Sequence, residues 1–267
     1  MARAIYNPIG TTALVTGASS GLGVGYAHEL AQRGADLVLV ARRQDRLEAL
    51  AVDLAEKYGT VSTVIPLDLT AANAVPELVA DLSSRGVTVG TLVNNAGFGT
   101  FGDFVDADQA RQIEQLTLNV LALTHLTHAL LPGLIDTAAR HPHGAALVNL
   151  ASTAAFQPVP HMSVYAASKA YVLSFTEALW FETRSTGLKV TAVCPGYVDT
   201  EFAAVAGNHS PTDRFLTVDR VMTSTFESLD RASTPPQVIV GKRNALMARA
   251  AIVSPRRAVL SVAGRRR

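Results

Sequence analysis

Cysteine is almost missing from this chain: Cys194 stands alone among 267 residues. One thiol excludes an internal disulfide framework and any zinc site built from several cysteines. Charged residues are sparse too, at 17%, while 48% of residues are apolar and spread along the whole length, which excludes a disordered, collagen-like or repeat-built chain. No basic-then-apolar leader precedes the first strand-like run, so an intracellular, cytoplasmic setting is expected. Acid is absent from residues 235–267, where eight Lys or Arg fall, leaving fifteen basic against twenty-two acidic residues elsewhere. The tail is thus a separate electrostatic object on a nearly neutral protein, and no nucleic-acid partner is expected. Two long uncharged stretches, 115–135 and 144–168, have the length of membrane spans. Thr117, Asn119, Thr124, His125, Thr127, His128 and Pro132 in the first, and Asn149, Gln157 and His161 in the second, make them too polar for lipid.

What is present is a regular alternation. Short β-rich runs at 12–16, 36–41, 61–67, 91–94, 145–150, 188–193 and 237–240 alternate with helical runs ending near 34, then at 44–58, 71–85, 106–131 and 164–186. Apolar runs such as "ADLVLVA" and "AALVNLA" are continuous rather than alternating, which predicts strands covered on both faces. The expected architecture is α/β, a doubly wound parallel sheet of about seven strands with helices on both faces. One domain over 1–267 is expected, with a less regular segment at 197–236 and the basic tail at 241–267.

The first strand runs into "TGASSGLG", which places Gly17, Gly21 and Gly23 between a strand and a helix. Small residues there let the backbone approach a pyrophosphate at the positive end of a helix. Alone, the spacing also fits a structural turn; the βαβ setting favours the dinucleotide. An acid normally stands at the end of the second strand to hold a ribose 2′-OH, but this sequence reads Ala41, Arg42, Arg43. Arg42 can make charge-assisted bonds to a 2′-phosphate, with help from Ser19 or Ser20, so NADP is expected rather than NAD.

Tyr165 and Lys169 stand four apart in an uncharged helical run and share a face. Lowering a tyrosine from about 10 to about 7 takes roughly 4 kcal/mol, which needs the ammonium together with a bound cofactor's positive charge. Ser152 follows a strand at the edge where open α/β sheets bind ligands, and Asn119 sits in the preceding helix. In this set of residues the chain resembles the short-chain dehydrogenase/reductase family from about residue 12 to residue 240. The resemblance rests on "TGASSGLG", Asp68 in "LDLT", "NNAG" at 94–97, Asn119, Ser152, Tyr165 with Lys169, and Pro195 with Gly196.

The resemblance implies a Rossmann-type sheet. It also implies a cofactor cradle of Gly17, Ser19, Ser20, Gly21, Leu22, Gly23, Arg42, Arg43, Asp68, Leu69, Asn95, Ala96, Gly97, Tyr165, Lys169, Pro195, Gly196, Val198 and Thr200. Asp68 would bond the adenine, residues 94–97 would brace sheet and cofactor, and Thr200 would contact the nicotinamide carboxamide. Ser152 would hold the substrate oxygen, Tyr165 transfer the proton, Lys169 bond the nicotinamide ribose, and Asn119 hold a water in the proton relay. The implied activity is hydride transfer between NADP(H) and a ketone or secondary alcohol, in a homodimer or homotetramer paired through the two uncharged helices.

A non-catalytic NADP sensor, and an epimerase or dehydratase on the same scaffold, are the alternatives; the former usually shows a damaged triad. The substrate is expected to be apolar or lipid-like, from Phe202, Val205, Phe215 and Leu216 in the irregular segment. His161 reads as a surface group, His125 and His128 as packed or interfacial with no metal, and Cys194 as a buried small hydrophobe. The tail is expected to pack on the domain, with peripheral contact to an anionic membrane as the alternative.

Overall fold

A computed structural model describes residues 6–207 and 215–264. Seven strands form one parallel sheet: β1 (Thr12–Thr16), β2 (Asp36–Ala41), β3 (Ser62–Pro66), β4 (Val89–Asn94), β5 (Ala146–Leu150), β6 (Lys189–Cys194) and β7 (Gln237–Ile239). Their order is β3-β2-β1-β4-β5-β6-β7. The helices are α1 (Gly21–Gln32), α2 (Gln44–Tyr58), α3 (Ala74–Ser84), α4 (Gln109–Leu116), α5 (Leu123–Arg140), α6 (Ser163–Thr183), α7 (Phe202–Val205), α8 (Val218–Leu229), α9 (Lys242–Val253) and α10 (Arg256–Ala263).

Successive strand residues point to opposite faces, and here both faces are apolar. Ala13, Val15, Leu37 and Leu39 pack under α1, α2 and α8 with Leu30, Leu47 and Phe226. Leu14, Val38 and Val40 pack on the other side under α3, α5 and α6 with Leu78, Leu126 and Leu179. The two layers explain the continuous apolar runs. Between the sheet and the helices on this second side, a polar chain ties four elements, β4, α5, β5 and α6: Asn94 Nδ2 donates to Thr127 Oγ1 and to Asn149 Oδ1, both at 2.9 Å, and Asn149 Nδ2 donates to Thr176 Oγ1 at 2.9 Å. All four residues are buried, so each bond removed would leave a stranded partner at a cost of about 1–3 kcal/mol.

Two expectations change, while the tail packs on the domain as expected. The helix placed at 106–131 starts three residues later, widens into a π-helical stretch at Thr117–Ala122, and continues through Pro132 to Arg140. By length and composition Gln109–Arg140 could cross a membrane; here Leu126 and Leu134 are buried in the core beside the sheet. The segment read as irregular contains the twelve-residue α8, capped by the Thr217 hydroxyl, with Val221, Met222, Phe226 and Leu229 buried. The tail forms two helices broken at Pro255, with Ala248, Ala251 and Val259 buried; its last arginines, 265–267, and residues 208–214 of the irregular segment lie outside the described residues.

Candidate active site

Chain order reverses at β1: β2 and β3 lie to one side, β4 to β7 to the other. A crevice opens at such a switch point, beyond the carboxyl ends of the strands. A cavity of about 1270 Å³ occupies it, and every expected site residue lines it except Gly23 and Asn119. Phe202, Val205, Phe215 and Leu216 line it as well, together with Met247 and Ala263 from the tail.

At one end is the turn between β1 and α1. Gly17 has φ +66°, and a Cβ there would fall 2.9 Å from Asn95 Nδ2, so the loop lies against the end of β4. Asn95 returns the contact by donating to the Thr16 carbonyl at 2.9 Å. Gly23 is absent from the lining because it acts behind the loop: its Cβ would meet the Gly17 carbonyl oxygen at 2.1 Å. The open amides at the start of α1, with Ser19 and Ser20 beside them, suit a diphosphate.

At the end of β2, Arg43 rather than Arg42 is the built-in arginine. It donates to Ser19 Oγ from Nε at 3.2 Å and from Nη2 at 3.1 Å, and from Nη1 to Glu201 Oε2 at 2.9 Å. Arg42 is more exposed and only loosely paired, 3.9 Å from Asp68 and 3.7 Å from Glu114. Two cations and two hydroxyls with no acid at position 41 fit an adenosine 2′-phosphate better than a bare ribose.

At the other end, Tyr165, Lys169 and Ser152 converge. Ser152 caps the turn after β5, accepting from the Ala154 amide at 3.1 Å. Burial pushes the Tyr165 phenol up to about 12, against the downward pull of the Ser152 hydroxyl beside it. The chain's own groups therefore keep this phenol protonated, and the downward shift anticipated from sequence needs the cofactor's charge as well as Lys169, whose Nζ donates to the Leu150 carbonyl at 2.7 Å and lies 5.9 Å from the Tyr165 ring centroid. Burial pulls Lys169 itself down to about 8.

Asn119 lies mid-way along the π-helical stretch, and its amide is fully engaged. It accepts from the Phe98 amide at 3.1 Å and donates to the Phe98 carbonyl at 2.9 Å and to Ser168 Oγ at 3.1 Å. Ser168 in turn donates to the Tyr165 carbonyl at 2.7 Å, so Asn119 links the loop after β4 to the helix carrying Tyr165.

His161 does not line the cavity; it pairs with Asp103 at 2.6 Å and joins two loops near the mouth. His125 and His128 are exposed, and no group of three metal-ligating side chains occurs among the described residues. Cys194 is fully buried, and burial pushes its thiol up, away from the nucleophilic thiolate.

Comparison with known proteins places the chain in a family. The family model for short chain dehydrogenases matches residues 11–210. The chain belongs to the short-chain dehydrogenase family. It is 39% identical over 203 residues to sulfoacetaldehyde reductase 2 of Chromohalobacter salexigens, covering 75% of this chain and 78% of that one. It is 34% identical over 201 residues to the very-long-chain 3-oxoacyl-CoA reductase of Bos taurus, covering 74% of this chain but only 62% of the bovine protein. Among solved structures, a short-chain dehydrogenase from Sphingobium yanoikuyae in complex with NADPH superposes with a TM-score of 0.80 at 34% identity, over 90% of this chain and 91% of that one. The fold and the family expected from the sequence are those found.

Glu201, which pairs with both Arg43 and Arg46, was not singled out in the sequence, and neither was Arg46. Glu201 is 158 residues from Arg43, and only the topology brings them together.

Proposed function

We propose that this short-chain dehydrogenase is an NADP(H)-dependent carbonyl reductase or alcohol dehydrogenase. The observation that carries the proposal is the shared cavity, with the Ser19 and Arg43 pair at one end and Ser152, Tyr165 and Lys169 at the other. When bound, the nicotinamide supplies or accepts the hydride. Gly17, Gly21 and the start of α1 receive the diphosphate, Arg42 and Arg43 the 2′-phosphate, and Lys169 the nicotinamide ribose. Ser152 donates a hydrogen bond to the substrate oxygen and orients the carbonyl. Tyr165, held protonated by burial, delivers its proton to the forming alkoxide, and the reverse transfer oxidises an alcohol. Asn119 positions Phe98 and α6, and through them the phenol.

The substrate in this reading is an apolar ketone, since Phe202, Val205, Phe215, Leu216 and Met247 form its part of the wall. Met162 and Ala263 extend the same surface. The protein acts as one catalytic unit and assembles as a homo-oligomer: Ile113, Leu121, Tyr171 and Phe181 are exposed apolar residues on α4, the π-helical stretch and α6, the faces expected to pair.

NADPH oxidation across ketones from short alkyl chains to long 3-oxoacyl compounds and steroids tests the activity, and net NADPH consumption separates it from epimerisation. The cofactor assignment has its own test. Replacing Ala41 with Asp and Arg42 and Arg43 with neutral residues is expected to move the ratio of NADPH to NADH dissociation constants toward NADH by at least about a hundredfold, because one carboxylate is gained and two charge-assisted partners are lost. A wild type that already binds NADH more tightly overturns the assignment.

A further inference from the structure

Residues 200–202 touch three parts of the site in succession. Thr200 packs against the glycine loop, where a Cβ on Gly21 would fall 3.0 Å from its Cγ2. Phe202 places its ring 5.4 Å from that of Tyr165. Between them, the Glu201 carboxylate accepts from Arg43 Nη1 at 2.9 Å and from Arg46 Nη1 at 2.6 Å. A carboxylate from the substrate side of the cavity thus holds guanidinium groups on the adenosine side.

The chemistry of that position is competitive. A 2′-phosphate offers three acceptor oxygens and close to two negative charges, against the single charge of a carboxylate. Both anions cannot share one exposed guanidinium edge without repulsion. Glu201 is half exposed, so on leaving it returns to water at little cost. Its departure has a mechanical consequence, because the Glu201 carbonyl accepts from the Val205 amide and the Phe202 carbonyl from the Ala206 amide, so the first turn of α7 is anchored where Glu201 is anchored.

We propose that Glu201 is a specificity-determining residue whose carboxylate occupies Arg43 and Arg46 until a 2′-phosphate displaces it, coupling recognition of that phosphate to the placement of Phe202 over Tyr165. The inference rests on the NADP reading above. A cofactor without the phosphate leaves the Glu201 pairs intact and Phe202 in place; one with it frees α7.

Glu201→Gln keeps the shape and removes the charge. The full-length proteins are titrated with 2′,5′-ADP and with 5′-AMP, which differ by the 2′-phosphate and carry no nicotinamide. The variant is expected to bind 2′,5′-ADP about five- to tenfold more tightly than the wild type, with 5′-AMP unchanged and the difference shrinking as salt is added. Amide exchange over residues 202–206 is expected to speed up when 2′,5′-ADP binds the wild type, and to be fast already in the free variant.

Unchanged or weaker 2′,5′-ADP binding in Glu201→Gln overturns the proposal, since Glu201 would then orient the arginines instead of competing for them. Exchange over 202–206 that slows or stays constant on 2′,5′-ADP binding overturns the coupling. If 2′,5′-ADP binds the wild type no better than 5′-AMP does, the NADP reading itself fails and the inference falls with it, a result distinct from the other two.

Discussion

Tyr165→Phe is expected to fold, to bind NADPH as the wild type does, and to turn over at least about a hundredfold more slowly, the usual scale for removing a general acid. The substitution deletes one oxygen and leaves a ring that still packs beside Phe202, 5.4 Å away between centroids. Dissociation constants for NADPH and steady-state rates on any accepted ketone check it; turnover near the wild-type value would sink the assignment of Tyr165. A pH profile adds an independent check on its neighbour. Burial sets the Lys169 ammonium at about 8 in the protein alone. Below that value Lys169 carries its charge and can donate to a ribose hydroxyl; above it the charge is lost. The wild-type kcat/KM for the cofactor, which reports the free enzyme, is therefore expected to fall as pH rises through about 8.

Gly23→Ala should be nearly as damaging by a different route. The added Cβ would stand 2.1 Å from the Gly17 carbonyl oxygen and 2.8 Å from its carbon, both backbone atoms that cannot swing aside. The glycine loop must move, with the amides that face the diphosphate. At least a tenfold loss of NADPH affinity is expected, roughly 1.4 kcal/mol, along with about 1–3 kcal/mol of stability from overpacking. Isothermal titration and thermal unfolding measure the two. Gly133→Ala is the control: it lies within α5, where an added Cβ would meet nothing within 4 Å beyond its own stretch of helix, and should leave binding untouched.

The strands, the glycine loop and the Tyr165/Lys169 pair were legible because each is written in a short stretch. Two-sided burial turns strands into continuous apolar runs, and a spacing of four puts two side chains on one helical face. The α8 helix was also written locally, in a Thr217 cap and buried positions at Val221, Met222, Thr225, Phe226 and Leu229, but the turn-forming residues before it masked the period. The helix expected to end at 131 runs on through Pro132 to Arg140. What no local pattern holds is pairing across the fold. The sequence offered Asn119 as a site residue, yet its bonds to Phe98 and Ser168 depend on where two other elements come to rest. Likewise Arg43 was visible, and its carboxylate partner was not.

The two closing helices give the cavity a wall with no part in the proton transfer. Met247 and Ala248 from α9 and Ala263 from α10 face it, whereas the side chains proposed to react, Ser152, Tyr165 and Lys169, come from the β5 end and α6. In the proposed reading, chemistry and admission fall to different stretches of chain. Exchanging the side chains at 247 and 263 should reshape the range of accepted substrates while the rate of the proton step stays as it was, which makes the C-terminus the place where an enzyme of this build can diverge.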